Sequence, residues 1–287
     1  MKIQYLTPEN IHHFIDLALQ EDVGDGDHST LASVSENSER KAKLLIKGEG
    51  IIAGVEMAQY IFQRVDPTLK IERLLQDGDR VKYGDIGFYV SGKARSILTA
   101  ERLVLNCMQR MSGIATLTHQ VVQKIKHTRA QILDTRKTTP NFRLPEKWAV
   151  LIGGGNNHRY GLFDMIMLKD NHIAYAGGIE KAIQATHVYL KTIQKELRIE
   201  IETQNLMELE QVLALGGVDV IMLDNMSNED MKKAVELVGG KYPLEASGGI
   251  TIDNIREVAE TGVDYISMGA LTHSAPSMDI SLKATED

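Results

Sequence analysis

Apolar positions along the chain follow two patterns that change near Gly113. Before it, runs such as KAKLLIKGEGIIAG and DGDRVKYGDIGFYVSG set short apolar pieces between Gly and Asp turn positions, which is how short strands read. A helical stretch around residues 55–64 separates them. From residue 97 to about 125, Leu98, Leu103, Leu105, Met108 and Met111 recur at the helical period, predicting one long helix or two abutting at Ser112-Gly113. The first region therefore reads as a small α/β or α+β domain with an antiparallel sheet, expected over residues 1–112.

Beyond Gly113 one theme repeats. The apolar runs QILDTRK, DMIMLKDNH, RIEIETQ, VDVIMLDN, PLEASGG and DYISMGALTHS each end in polar, chemically able residues. Helical stretches such as NLMELEQVLALG and EDMKKAVELVG lie between them. Spacings of roughly 20 to 35 residues suit successive βα units of a parallel sheet. Strands apolar throughout are buried on both faces. With no dinucleotide fingerprint and every strand end functionalised, the pattern favours a (β/α) barrel over an open doubly wound sheet. Six strands rather than eight make it an incomplete barrel. This domain is expected over residues 113–287, with the C-terminal tail returning to the N-terminal domain.

Composition narrows the function classes. A chain of 287 residues with 43% apolar and 25% charged residues has the balance of a globular protein. Only 5% of residues are aromatic and the net charge is −7, so neither a base-stacking nucleic-acid reader nor a general polyanion binder is expected. No stretch reaches the length of an apolar membrane span, and MKIQYLTPENIHHF lacks a signal peptide's apolar centre. The single cysteine, Cys107, excludes an intramolecular disulfide, and its apolar neighbours point to a buried structural thiol. A cytoplasmic protein without nucleic-acid or membrane partners is the expectation.

In parallel barrels the active site lies at the C-terminal ends of the strands. Those ends carry, in order, Arg136 and Lys137; His158 and Arg159 before the second strand; Lys169, Asn171 and His172; Glu200 and Glu202; Asp224 and Asn225; Glu245, Ser247, Gly248 and Gly249; then Gly269, Thr272 and His273. Any one of them can be a solvated strand end. As a set they are ordered, with cations early and carboxylates plus glycines late. Arginine's planar fork fits carboxylate or phosphate, so Arg136 and Arg159 suit a multiply charged acid. Glu202 and Asp224 would repel such an acid, unless they hold magnesium, ribose hydroxyls or a cationic transition state. The turns SGGI and MGA follow the last two strands, where barrels often bind phosphate through backbone N–H groups. GGGNNHR, at residues 153–159, reads equally as a further such loop or as a flexible one. One rim with an anionic-acid pocket, a carboxylate patch and a phosphate cup describes an enzyme joining an acid to a phosphorylated sugar.

The runs EDVGDGDHST, ERLVLNCMQRMSGIAT, DTRKTTPNFR with EKWAV, GGGNNHRYGLFDMIMLKDNH, IEIETQNL, VIMLDN, EASGGI and GALTHS with DISL carry a resemblance. Over nearly its whole length the chain resembles the quinolinate phosphoribosyltransferases. The resemblance implies an N-terminal α/β sandwich domain followed by an incomplete (β/α) barrel. It implies a homodimer with shared active sites, which can assemble further, each N-terminal domain covering its partner's barrel mouth. It also implies the reaction of quinolinate with phosphoribosyl pyrophosphate to give nicotinate mononucleotide, pyrophosphate and carbon dioxide, with Mg2+. Carried over residue by residue, Arg136, Lys137, His158, Arg159 and Lys169, with Thr135 beside them, would form the quinolinate pocket. Arg102 would come from the partner subunit; on its own it reads as part of a solvated helix face. Glu202 and Asp224 would sit by the ribose and the metal-bound pyrophosphate, touching the metal directly or through pyrophosphate and water. Ser247, Gly248, Gly249, Gly269 and Ala270 would hold the 5′-phosphate, with His273 supporting that loop. One departure is visible: DTRKTTP is more usually followed by Gly-Leu-Arg and here by Asn141-Phe142-Arg143, and Asn tolerates the left-handed backbone that Gly allows.

Mechanistically, pyrophosphate loss builds positive charge at the anomeric carbon, which Glu202 and Asp224 would stabilise, and Lys137 or Lys169 would handle the proton of decarboxylation. Three alternatives stay open: a nicotinate phosphoribosyltransferase, a molybdenum-transport-associated paralogue on the same scaffold, and a non-catalytic anion sensor. The size of the cation set favours a dicarboxylate over nicotinate. Carboxylates in the pocket are of no use to a pure anion sensor.

Overall fold

The computed structural model describes residues 5–285. Contacts divide the chain into two compact units, one of Met1–His119, Lys137–Gly154 and Leu271–Asp287, the other of Gln120–Arg136 and Gly155–Ala270. Among the described residues, twelve strands run in chain order: β1 (Glu39–Ile46), β2 (Gly50–Ile51), β3 (Lys70–Arg73), β4 (Arg80–Val81), β5 (Ile86–Lys93), β6 (Gln131–Leu133), β7 (Ile166–Leu168), β8 (Ile199–Thr203), β9 (Val220–Asp224), β10 (Leu244–Ser247), β11 (Tyr265–Ser267) and β12 (Ile280–Ala284).

The first unit holds an antiparallel sheet in the order β12-β1-β5-β3 and a short β2-β4 pair. Along β1 the alternate residues Ala42, Leu44 and Ile46 are buried, as a sheet with one covered face requires. Phe88 of β5 meets Phe62 edge-on at 5.9 Å, and Phe62 lies on the helix Val55–Val65, whose buried residues also include Met57, Ala58 and Ile61. The Gly and Asp positions make the turns, Asp79 accepting from the Gln76 N–H at 2.8 Å and Asp85 from the Lys82 N–H at 2.9 Å. The tail returns as β12, pairing antiparallel with β1 so that Leu282 faces Leu44.

Ala94–Ile125 is a single helix of 32 residues. No break falls at Ser112-Gly113, and packing explains both residues. Ser112 Oγ accepts from the Ala53 N–H at 2.9 Å. A Cβ on Gly113 would lie 1.9 Å from the carbonyl oxygen of Pro276, so this glycine permits a close backbone approach rather than a kink.

The second unit is built on a parallel sheet in the order β6-β11-β10-β9-β8-β7. All six strands expected from the apolar runs are present. Every residue of β8 is buried, as are four of the five in β9, which is why β9 opens on the unbroken apolar run VIML, while β8 buries Glu200 and Glu202 as well. Beyond β6 the residues Leu133 and Asn156 form a further parallel bridge. Among the described residues no pairing joins that segment to β7, so the sheet is open there. Amphipathic helices cover it: Asn228–Val238 buries Met231, Ala234 and Val238, one helical stripe, and opens on Ser227, whose side chain accepts from the Asp230 N–H. Leu206–Leu215 opens on Asn205 in the same way.

Candidate active site

The chemistry of the second unit gathers where its parallel strands end. Asp134, the first residue past β6, is fully buried. Its Oδ1 accepts from the His158 backbone N–H at 2.9 Å, and its Oδ2 accepts from Asn157 Nδ2 at 2.6 Å. That carboxylate ties the end of β6 to the NNHR stretch, setting half-buried Arg136 and Arg159 on one rim. Arg159 Nη1 donates to the Met165 carbonyl at 3.2 Å. Burial holds the Arg159 guanidinium below its usual pKa, and the Arg136 charge adds to this, while Glu200, Asp164 and Glu202 pull it back up. Two guanidiniums kept near each other against repulsion are suited to a ligand with more than one negative charge.

Behind the rim lies a cluster that strand-end reasoning underrates. His158 Nε2 is 2.9 Å from Glu200 Oε2 and 3.4 Å from Glu245 Oε2. Glu200 and Glu245 are each 1% exposed, and their Oε1 atoms have no hydrogen-bond partner. The Arg159 backbone N–H donates to His158 Nδ1 at 2.7 Å. Burial pulls the imidazole down in pKa, yet the hydrogen bonds to Glu200 and Glu245 outweigh it and raise it to about 10. Burial pushes Glu200 up, opposed by the His158 hydrogen bond and assisted by the Glu245 charge. His158 was expected as a pocket cation; both of its ring nitrogens are engaged inside the protein.

Lys169 follows β7 and pairs with Glu202 of β8 through Nζ and Oε1. The Lys169 backbone N–H donates to His172 Nδ1 at 2.9 Å, which is the use of that histidine. Glu200 and Glu202 are two apart in β8 and share a face; Glu202 stands nearer the strand end. Asp224 closes β9 level with Ser247 of β10, and its Oδ2 accepts from Asn225 Nδ2 at 2.9 Å. The Asn225 N–H donates to the Ser247 carbonyl at 2.9 Å. Gly248 follows with φ +95°, and a Cβ on it would lie 2.2 Å from Asn225 Oδ1. Gly249 has φ +62° with open space where a Cβ would be, and its carbonyl accepts from Asn254 Nδ2 at 3.0 Å. Gly269 and Ala270 come directly after β11, where the Met268 N–H donates to the Leu133 carbonyl at 3.0 Å.

A cavity of about 360 Å3 lies against Asp170, Ile173, Glu202, Gln204, Glu208 and Gln211, among others. Of the expected site residues Glu202 alone lines it, so the cavity flanks the carboxylate patch rather than the cation rim.

Four of the residues singled out in the sequence, Arg102, Lys137, Thr272 and His273, belong to the first unit. Arg102 is exposed on the long helix and Lys137 is exposed on its loop. The Lys137 carbonyl accepts from Thr272 Oγ1 at 2.8 Å. Asn141 has φ +60°, the left-handed backbone that the Gly-to-Asn departure tolerates. His273 is exposed and bonds Ser274 Oγ at 2.6 Å. The first glycine of GGGNNHR is required by packing, since a Cβ on Gly153 would lie 2.5 Å from the Ala115 carbonyl oxygen. Asp134, Glu200 and Glu245 are absent from the expected ligand set. The signal for them was a charged residue inside or directly ending an apolar strand, which burial makes costly unless it is paired.

Comparison with known proteins assigns the chain to a family in two adjacent pieces. Residues 27–112 match the quinolinate phosphoribosyl transferase N-terminal domain and residues 114–283 its C-terminal domain. Quinolinate phosphoribosyltransferase [decarboxylating] 1b of Nicotiana tabacum is 49% identical, covering 94% of this chain and 81% of that protein. The chloroplastic nicotinate-nucleotide pyrophosphorylase [carboxylating] of Oryza sativa subsp. japonica is also 49% identical, covering 94% and 76% respectively. The solved nicotinate-nucleotide pyrophosphorylase of Francisella tularensis superposes with a TM-score of 0.88 at 40% identity, covering 97% of this chain and 98% of that one.

Proposed function

The chain belongs to the quinolinate phosphoribosyltransferase family, and from that premise we propose how its residues carry out the decarboxylating transfer of NAD biosynthesis. The observation that carries the reading is the rim of the second unit: the interacting guanidiniums of Arg136 and Arg159, the Lys169–Glu202 pair, Asp224 and the Gly248-Gly249 turn lie in or beside the C-terminal ends of strands of one sheet.

Quinolinate brings two carboxylates to Arg136, Arg159 and Lys169, with Thr135 alongside, and His158 supports them from below. Lys137 and an exposed Arg102 supplied by the partner subunit of a homodimer complete the pocket. Ser247, Gly248, Gly249, Gly269 and Ala270 cradle the 5′-phosphate of phosphoribosyl pyrophosphate through backbone N–H groups. Residues 1–112 and 113–287 act as the two domains of each subunit.

The C1–O bond to pyrophosphate breaks with its electrons leaving on oxygen, and positive charge develops at C1. Glu202 and Asp224 stabilise that charge electrostatically. Their oxygen donors suit Mg2+, which supplies charge neutralisation for the departing pyrophosphate. The pyridine nitrogen then forms the bond to C1. Its positive charge stabilises the electron pair left on the adjacent ring carbon when the neighbouring carboxylate leaves as carbon dioxide. A lysine ammonium, of Lys137 or Lys169, delivers the proton to that ring carbon. The pairing of its Nζ with Glu202 supports Lys169 for this role.

Mixing the protein with quinolinate, phosphoribosyl pyrophosphate and Mg2+ tests the reading. Equimolar pyrophosphate and carbon dioxide support it. Pyrophosphate without carbon dioxide, from nicotinate in preference to quinolinate, would overturn it.

A further inference from the structure

Two carboxylates buried inside a parallel sheet are expensive, and nothing in the transfer described above touches them. Glu200 and Glu245 lie on β8 and β10, each flanked along its strand by buried apolar residues, Ile199 and Ile201 in one case and Leu244 and Ala246 in the other. Removing a carboxylate from water costs several kcal/mol before any partner is counted, and apolar side chains would fill the same space without that cost. The charge therefore serves something these strands do not need for folding.

Their shared partner is His158, whose ring joins two layers of the site. On the inner side Nε2 donates to Glu200, with Glu245 next to it. On the outer side Nδ1 accepts the Arg159 backbone N–H. The His158 backbone N–H is held in turn by Asp134.

We propose that Glu200 and Glu245 are positioning residues that act through His158 to fix the backbone of Arg159, so that its guanidinium is held at the quinolinate carboxylates. The proposal rests on the reading that Arg159 binds quinolinate. The negative charge beneath also pulls on the guanidinium itself, because Glu200 is among the carboxylates that favour its cationic form against the neighbouring Arg136. Geometry and charge thus act in the same direction: the arginine is kept in place and charged before the acid arrives, and less ordering is left for binding.

The test is a pair of double-mutant cycles. Glu245→Gln and Glu200→Gln keep the side-chain shape and are made alone and combined with Arg159→Ala. Quinolinate and phosphoribosyl pyrophosphate are varied separately in steady state. Each Gln variant is expected to raise the quinolinate KM about tenfold, leaving the KM for phosphoribosyl pyrophosphate little changed. In the Arg159→Ala background the same substitution is expected to add nothing, because the group it positions is gone. An unchanged quinolinate KM in folded Gln variants overturns the proposal, and so does an equal increase in both backgrounds. If Arg159→Ala itself leaves that KM unchanged, the underlying reading of Arg159 has failed instead. Hydrogen exchange of the Arg159 amide in the unmodified protein gives a readout independent of activity and of variant folding. Protection is expected from its bond to the His158 ring, and exchange at the rate of an unbonded amide would sink the clamp.

Discussion

Glu146 holds Thr139 twice: its Oε2 accepts from the Thr139 N–H and its Oε1 from the Thr139 hydroxyl, each at 3.0 Å. The same Oε1 accepts from Arg110 Nε at 3.1 Å. Arg110 also donates to the carbonyls of Ala275 and Thr272, and Thr272 donates its hydroxyl to the Lys137 carbonyl. A ring of bonds therefore runs from the loop bearing Lys137 through a buried carboxylate to the long helix and back through the C-terminal segment. Glu146 is fully buried and Arg110 is 22% exposed at its side chain. Removing the carboxylate takes the anionic partner from the part-buried Arg110 guanidinium, which keeps only two carbonyls. Glu146→Ala is expected to cost about 2 kcal/mol, read as a lower denaturation midpoint with an unchanged denaturant slope. A midpoint within error of the parent would show that the ring carries no stability.

The six parallel strands are legible in sequence because burial on both faces leaves an unbroken apolar run, as in VIMLD, and helices of ordinary period separate them. Glu146 is not legible. It sits in RLPEKWAVLI as a charged residue early in an amphipathic helix, where solvation is the ordinary expectation, yet it is buried together with Lys147. Periodicity reports which face a residue takes and carries no information about a partner 36 residues earlier, as Arg110 is. Gly113 misleads for a related reason. Glycine in a helix signals either a weak point or a close approach, and only the position of Pro276 decides between them. The rim residues were visible because chemistry and strand ends coincide. The engagement of His158 was not, since it depends on which strands are neighbours.

Arg136→Ala is expected to raise the quinolinate KM by one to two orders of magnitude, the loss of a charge-assisted contact worth roughly 1.5–3 kcal/mol. The KM for phosphoribosyl pyrophosphate should change far less. A shift of similar size for both substrates would place Arg136 outside the acid pocket.

Gly248 and Gly249 separate sterics from backbone strain. At Gly248 a methyl group would meet Asn225 Oδ1 at 2.2 Å and the Asn225 backbone nitrogen at 3.0 Å, with φ at +95°. At Gly249 the space is open and φ is +62°, a conformation that costs an alanine about 1–2 kcal/mol. Gly248→Ala is expected to raise the KM for phosphoribosyl pyrophosphate more than Gly249→Ala does. The reverse order, measured with quinolinate saturating, would mean that the turn does not meet the phosphate as proposed.

Cys107 is fully buried, and burial raises its thiol from 9.0 to about 12. Below pH 9 the thiol is neutral in both the folded and the unfolded chain, so it contributes no pH dependence. Between pH 9 and about 12 the unfolded chain gives up the proton and the folded one keeps it. Stability then falls by about 1.4 kcal/mol per pH unit from this group. The native protein should resist thiol alkylation at pH 8, and Cys107→Ala should flatten the decline above pH 9 relative to the parent. Rapid labelling of the folded protein at pH 8 would refute the burial argument.

Arg102 offers a test of the shared site that needs no structure of the assembly. Its side chain is exposed on the long helix, so Arg102→Ala is expected to leave stability within about 0.5 kcal/mol of the parent. Activity should nonetheless be lost, because in the proposed dimer this guanidinium completes the partner's acid pocket. Lys169→Ala is expected to be inactive for a different reason, the loss of the ammonium beside Glu202. When the two inactive proteins are mixed and allowed to exchange subunits, the heterodimer has one site with both defects and one with neither. Activity approaching about a quarter of the parent's is then expected at equal amounts, since random pairing makes half the dimers mixed and each has one intact site. No recovery, with exchange verified by mass, would put Arg102 outside the partner's pocket.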